Sequence, residues 1–194
     1  DSDEKFADKN KNKIWDDGEF FEDANENGEY DNKGQLKGVI IDLRGNPGGL
    51  LTATIDTTGE FIDGGLILTE VDRSGDQRNY EDLNGGHGID FDIAILVNGG
   101  SASGSEVMAA AMRDYDRAVI IGEQTFGKGT VSAPRILSDG SVLYVSIARW
   151  LSPKGELLEG VGVIPDIIIE PSDEDFELQR DVQLFTAIEA LRND

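Results

Sequence analysis

The sequence predicts an α/β fold: a layered core of parallel strands and helices with one antiparallel hairpin, preceded by a loop-rich acidic segment. Three observations predict it. Short apolar runs such as Val39–Leu43 and Ile93–Val97 alternate with helical patterns, the arrangement that favours parallel pairing. Thr130–Leu137 and Ser141–Leu151 flank Ser138-Asp139-Gly140, a hairpin signal. The composition changes abruptly near Lys33–Lys37, separating residues 1–36 from a core at 37–194.

The first segment, residues 1–33, holds twelve Asp and Glu, five Lys and five Asn with few apolar side chains. After it, Gly38–Arg44 reads as a buried strand, Gly45–Gly49 as a turn and Leu50–Ile62 as a helix. Leu66–Val71 is a strand, and Gln77–Asp92 a polar, glycine-rich stretch holding His87. The buried strand Ile93–Val97 leads through Asn98–Gly104 to an alanine-rich helix, Ser105–Tyr115, with Ser105 as its N-cap. Strands are expected at Ala118–Ile121 and Asp166–Ile169, on either side of the hairpin. Ser172 caps a closing helix that places Leu178, Val182, Phe185, Ile188 and Leu191 on one face.

Composition excludes several kinds of chemistry. A net charge of −22 disfavours nucleic acid and anionic membrane, which both reward clustered Lys and Arg. No cysteine among the 194 residues means no disulfide, thiol nucleophile or thiolate metal site, and a single histidine leaves no multi-histidine centre. No run approaches the roughly 18 apolar residues of a membrane span.

The acidic segment repeats with a period of fifteen: Asp8-Lys-Asn10-Lys-Asn12 aligns with Asp23-Ala-Asn25-Glu-Asn27. Asp8, Asn10, Asn12, Asp16 and Glu19, with the Ile14 carbonyl, occupy the oxygen-donor positions of a calcium loop. Asp23, Asn25, Asn27 and Asp31 repeat the pattern with Gly34 where a closing glutamate would stand. A structural Ca²⁺ site is therefore expected, against the alternative of a solvated linker. The doubled pattern resembles the Asp/Asn-rich calcium repeats of secreted bacterial proteins, which implies an extracytoplasmic location.

Two glycine loops carry candidate chemistry. Gly122–Gly129 nearly spells a phosphate-binding loop, but Gly129 stands where the Mg²⁺-binding hydroxyl belongs and Thr130-Val131 continue as strand rather than helix. Ser103 lies between a buried strand and a helix, where the Gly104 amide could face a developing oxyanion. Such a nucleophile needs a base. His87 is the one imidazole, and Lys128 is the other option, because burial can hold a lysine neutral near pH 7.

Five motifs then occur in order: Gly38–Leu50, Val97–Glu106, Gly122–Val131, Ala148–Pro153 and Gly160–Asp166. Together they closely resemble the carboxyl-terminal processing, or tail-specific, proteases. The resemblance implies a crotonase/Clp-like core to which a peptide substrate adds as a strand. It also implies a serine endopeptidase that cleaves polypeptides near their C-termini through an acyl-enzyme, with no catalytic cofactor. Ser103 and Lys128 have the family's spacing of 25 residues, which makes Ser103 the nucleophile and Lys128 the base. The amides of Gly49 and Gly104 would form the oxyanion hole. Ser132 stands where the family has a glutamine that orients the lysine, and Gly104 where alanine is usual. The family's PDZ domain is not visible, so it is expected elsewhere in a longer protein. The Ser132 departure keeps open an alternative, a weakly catalytic or inactive peptide- or calcium-binding module on the same fold.

Overall fold

The computed structural model describes residues 38–82 and 85–192, within a compact unit that begins at Gly38. The acidic segment, with every calcium ligand named above, lies outside the described residues. In order, the elements are β1 (Gly38–Asp42), α1 (Leu51–Gly59), β2 (Gly65–Asp72), β3 (Gln77–Asp82), β4 (Asp92–Val97) and α2 (Gly104–Asp114). They continue with β5 (Val119–Gly122), β6 (Thr130–Ile136), β7 (Val142–Leu151), β8 (Ile167–Ile168), α3 (Asp173–Glu177) and α4 (Val182–Ala190).

Two sheets form. One is parallel, in the order β1-β4-β5-β8, and the other is antiparallel, in the order β3-β2-β7-β6. The alternation of β4 divides its side chains between two layers. Ile93, Ile95 and Val97 join the core that holds α2 and the inner side chains of β2. Ala94 and Leu96 instead meet Leu184, Ala187 and Leu191 of the closing helical region. Helix α2 packs against α1, β2 and β5. Its alanines 109, 110 and 111 have no exposed surface, and their small side chains let neighbours approach closely on every side.

Three readings differ from the sequence expectation. The stretch from Gln77 opens with β3, paired antiparallel with β2. Its polar residues sit at a sheet edge, and Asp72 Oδ1 fixes the connecting turn by accepting from the amides of Ser74 and Asp76. The closing helix is two helices: Gln179 takes φ +52, and Asp181 starts α4 by accepting from the Leu184 amide. The buried face of α4 therefore carries Leu184 and Ala187, while Phe185 is exposed. The N-cap of α2 lies two residues earlier than expected, at Ser103 rather than Ser105.

Candidate active site

Strands β1, β4 and β5 are neighbours, so the loops that leave their C-terminal ends lie side by side. This is where open α/β sheets place ligands. The three loops, 43–50, 98–103 and 123–129, contain the glycine turn, the serine and the lysine singled out from sequence.

The first loop is anchored at its base. Arg44 makes a paired contact with Asp181, 2.8 Å for each of two bonds, and reaches Asp42 at 2.7 Å. These guanidinium hydrogen bonds hold the carboxyls of Asp42 and Asp181 below the usual range and push Arg44 up. A seam of hydrogen bonds joins this loop to the serine loop. The Asn46 carbonyl accepts from the Ala102 amide at 3.0 Å and from Ser105 Oγ at 3.0 Å. Buried Ser101 donates its hydroxyl to the Leu43 carbonyl at 2.7 Å, and Asn98 Oδ1 accepts from the Gly45 amide at 2.9 Å. Ser101 of the loop and Ser105 of α2 are thus staples to the first loop. The Ser103 hydroxyl is not one of them.

Ser103 sits at φ +56°, ψ −116°, backbone that a non-glycine residue adopts only when its surroundings impose it. The sharp strand-to-helix turn puts this residue at the helix N-terminus, as the nucleophile elbow of α/β-hydrolases does with its serine. Directly beside it, Gly49 N lies 3.4 Å from the point where a Cβ on Gly104 would stand. The amides of Gly49 and Gly104 make no hydrogen bond among the described residues. The two expected oxyanion donors are therefore adjacent and available. Behind them a cavity of about 220 Å³ is lined by Leu43, Gly48, Ala53, Thr54, Thr57 and Met108. Its lining carries no charge, so it suits a small uncharged side chain.

The lysine loop is joined to the serine turn by one further side chain, to which the sequence alone assigns no role. Glu106 is 0 % exposed. Its Oε2 accepts from the Ser103 amide and from the Lys128 amide, each at 2.8 Å. Its Oε1 accepts from the Gly127 amide and from Thr125 Oγ1, each at 2.6 Å. Two amides bound to one oxygen cannot be further apart than twice that bond, so the backbones of Ser103 and Lys128 are brought together. The signal available in the sequence was the Ser103-x-x-Glu106 spacing of a capping box.

Segment 158–161 closes over the lysine loop. The Gly160 amide donates to the Gly127 carbonyl at 2.9 Å, and a Cβ on Gly129 would stand 2.3 Å from the Glu159 amide nitrogen. The glycines flanking Lys128 thus serve close backbone packing, and β6 follows where a phosphate-binding loop would open a helix. Lys128 itself is exposed, so the burial expected to keep its amine neutral is not found. Ser132, in β6, is also exposed and opposite Ser146 of β7, and its hydroxyl makes no hydrogen bond among the described residues. His87 lies away from these loops. Its side chain is 95 % exposed and bonds Glu60 at 2.9 Å, which raises its pKa. The neighbouring Gly88 carbonyl meets Arg117, just past the far end of α2. Eleven helical residues, about 16 Å by rise, thus separate that region from Ser103.

Comparison with known proteins bears on the fold and the family. The family model of peptidase family S41 matches residues 16–169. A CtpA-like serine protease of Staphylococcus aureus is 41 % identical over 140 residues, covering 71 % of this chain and 28 % of that protein. A CtpA-like serine protease of Staphylococcus epidermidis is 40 % identical over 136 residues, covering 69 % of this chain and 28 % of that protein. The chain thus spans under a third of the length of these curated relatives. Among solved structures, the photosystem II D1 C-terminal processing protease superposes with a TM-score of 0.66 at 35 % identity, over 76 % of this chain and 39 % of that one.

Proposed function

Because the chain belongs to peptidase family S41, we propose that residues 37–194 are the core of a serine endopeptidase acting on polypeptides near their C-termini, with Ser103 as nucleophile and Lys128 as general base. The observation that carries this reading is the shared acceptor: the Ser103 and Lys128 amides bond the same Glu106 oxygen, beside the free amides of Gly49 and Gly104.

In the proposed reaction a neutral Lys128 amine takes the Ser103 proton as Oγ attacks the scissile carbonyl. The oxyanion that forms is met by the Gly49 and Gly104 amides, reinforced by the N-terminus of α2. Because Ser103 N is committed to Glu106, it is not a third donor. Collapse expels the amine, which takes its proton from the Lys128 ammonium, and leaves an acyl-enzyme. Water then attacks the acyl-enzyme with Lys128 again as base. Ser132 is proposed to help orient the lysine, Ca²⁺ to brace the acidic segment, and the whole protein to be extracytoplasmic with its PDZ domain outside this chain.

Hydrolysis of an unstructured polypeptide tests the reading. Ser103→Ala, Lys128→Ala and Lys128→Arg should each lower turnover by at least about 100-fold, the usual worth of a positioned base, because arginine supplies no neutral amine. Lys128→Ala retaining more than about a tenth of wild-type turnover would remove lysine from the mechanism. No turnover by the wild type would favour the binding-module alternative.

A further inference from the structure

We propose that Glu106 is a positioning residue for this site: its buried carboxylate sets the register of the lysine loop against the nucleophile turn. The inference rests on the serine-peptidase reading above. An ordinary capping glutamate reaches back to the N-cap amide alone and stays at the surface. Glu106 does more. It has no exposed surface, and three of its four donors come from residues 125–128, on a different loop. No arginine or lysine side chain pairs with it among the described residues. Its charge is instead met by three amides, a hydroxyl and the N-terminus of α2.

The stoichiometry specifies a carboxylate. Each oxygen takes two donors, which fills the four lone-pair positions the ionised group offers. A glutamine has the same shape but turns one acceptor into an NH₂ group. Either orientation sets that group against two donors, Ser103 N with Lys128 N or Gly127 N with Thr125 Oγ1. One of the two loops must then move. Glu106 does not line the cavity between Gly48 and Met108, so the movement falls on nucleophile and base rather than on substrate binding.

The test is Glu106→Gln in the chain assayed on a polypeptide, with a fluorophosphonate probe for Ser103. The expected result is a kcat lowered by about 100-fold, the cost of roughly 1 Å of misplacement, with KM changed by less than about threefold. Ser103 labelling should slow in step. Amide hydrogen exchange, read without substrate, should show Gly127 and Lys128 losing protection in the variant. A Glu106→Gln enzyme that keeps more than about a third of kcat, or whose loss lies in KM, overturns the inference. If the variant does not fold at assay temperature, Thr125→Val carries the test. It removes the hydroxyl donor to Glu106 and also the acceptor of the Val163 amide; a kcat lowered by about fivefold or more at constant KM, with faster exchange at Gly127 and Lys128, supports the role, whereas an unchanged kcat or unchanged exchange at those two amides overturns it. A wild type that neither cleaves nor labels refutes the peptidase reading instead. The exchange measurement still decides about Glu106 in that case, because unchanged protection of Gly127 and Lys128 overturns it.

Discussion

Replacing Gly48 by alanine should damage stability and chemistry together, and the size of each effect follows from the geometry. Gly48 stands at φ +93°, and a Cβ there would lie 2.6 Å from Gly104 N, 2.7 Å from the Ala102 carbonyl oxygen and 2.8 Å from Ser103 Cβ. Two of the three are backbone atoms, which no side-chain rotation can clear. Relief to ordinary contact near 3.4 Å requires the two turns to part by about 0.7 Å. Overpacking of this kind costs about 1–3 kcal/mol, and a non-glycine residue in left-handed backbone about 1–2 kcal/mol more. A loss near 3 kcal/mol corresponds to a Tm lower by roughly 6–12 °C for a unit of this size. Because the displaced atoms belong to the nucleophile turn and the Gly104 oxyanion donor, Ser103 labelling should slow by about 30- to 100-fold. Gly49→Ala is the control. A Cβ there meets nothing within 4 Å, so its melting temperature should stay within about 2 °C of wild type. The reasoning fails if Gly48→Ala melts like Gly49→Ala, or if it labels at the wild-type rate.

Three further outcomes are expected. Gly104→Ala, the family's usual residue, would set its Cβ against Thr54 Oγ1; it should cost about 1–2 kcal/mol, and Thr54→Ala should restore most of that in thermal melts of the double variant. Asp181→Asn keeps an N-cap but removes one of the two carboxylate partners of Arg44. Arg44 depresses the carboxyls of Asp42 and Asp181 in the folded state, so their stabilisation is complete above the ordinary carboxylate range and is lost as pH falls through the depressed values. Wild type should therefore be slightly more stable near pH 6, by about 1 kcal/mol or less for so exposed a pair, and the two stabilities should converge as pH falls through the depressed carboxyl values. Millimolar Ca²⁺ should raise the Tm of the chain, and Asp8→Ala or Asp16→Ala should abolish the shift; calorimetric titration showing no heat would leave the segment a solvated linker.

What was legible in the sequence was whatever a few adjacent residues decide. The runs at β4 and β5 announce buried strands because both faces of the parallel sheet are covered, so apolar residues are contiguous, whereas β1, last in that sheet among the described strands, is only half-buried. The hairpin of β6 and β7 announces its turn through Ser138-Asp139-Gly140. β3 carried no such signal: Gln77-Arg78-Asn79-Tyr80 are polar because this strand ends a sheet, and their pairing is set by β2 rather than by their own periodicity. The break between α3 and α4 was equally hidden, because apolar residues at helical spacing run through Gln179 without marking the one residue that turns left-handed.

The same division runs through the site. Ser103, Lys128, Gly49 and Gly104 stand in short motifs whose glycines and hydroxyls advertise unusual backbone, so they could be named before their surroundings were known. Glu106 stands at the third position of a helix, where an acidic residue is ordinarily worth a capping bond at the surface. Its other role depends on β5 lying beside β4, which carries Thr125, Gly127 and Lys128 to a carboxylate about 20 residues earlier in the chain. How many donors converge on one acceptor is a property of that pairing and of no local pattern. A capping-box spacing that joins a serine loop to a buried helix is therefore a reason to ask what else lies within reach of the glutamate, and the answer comes only from the strand order.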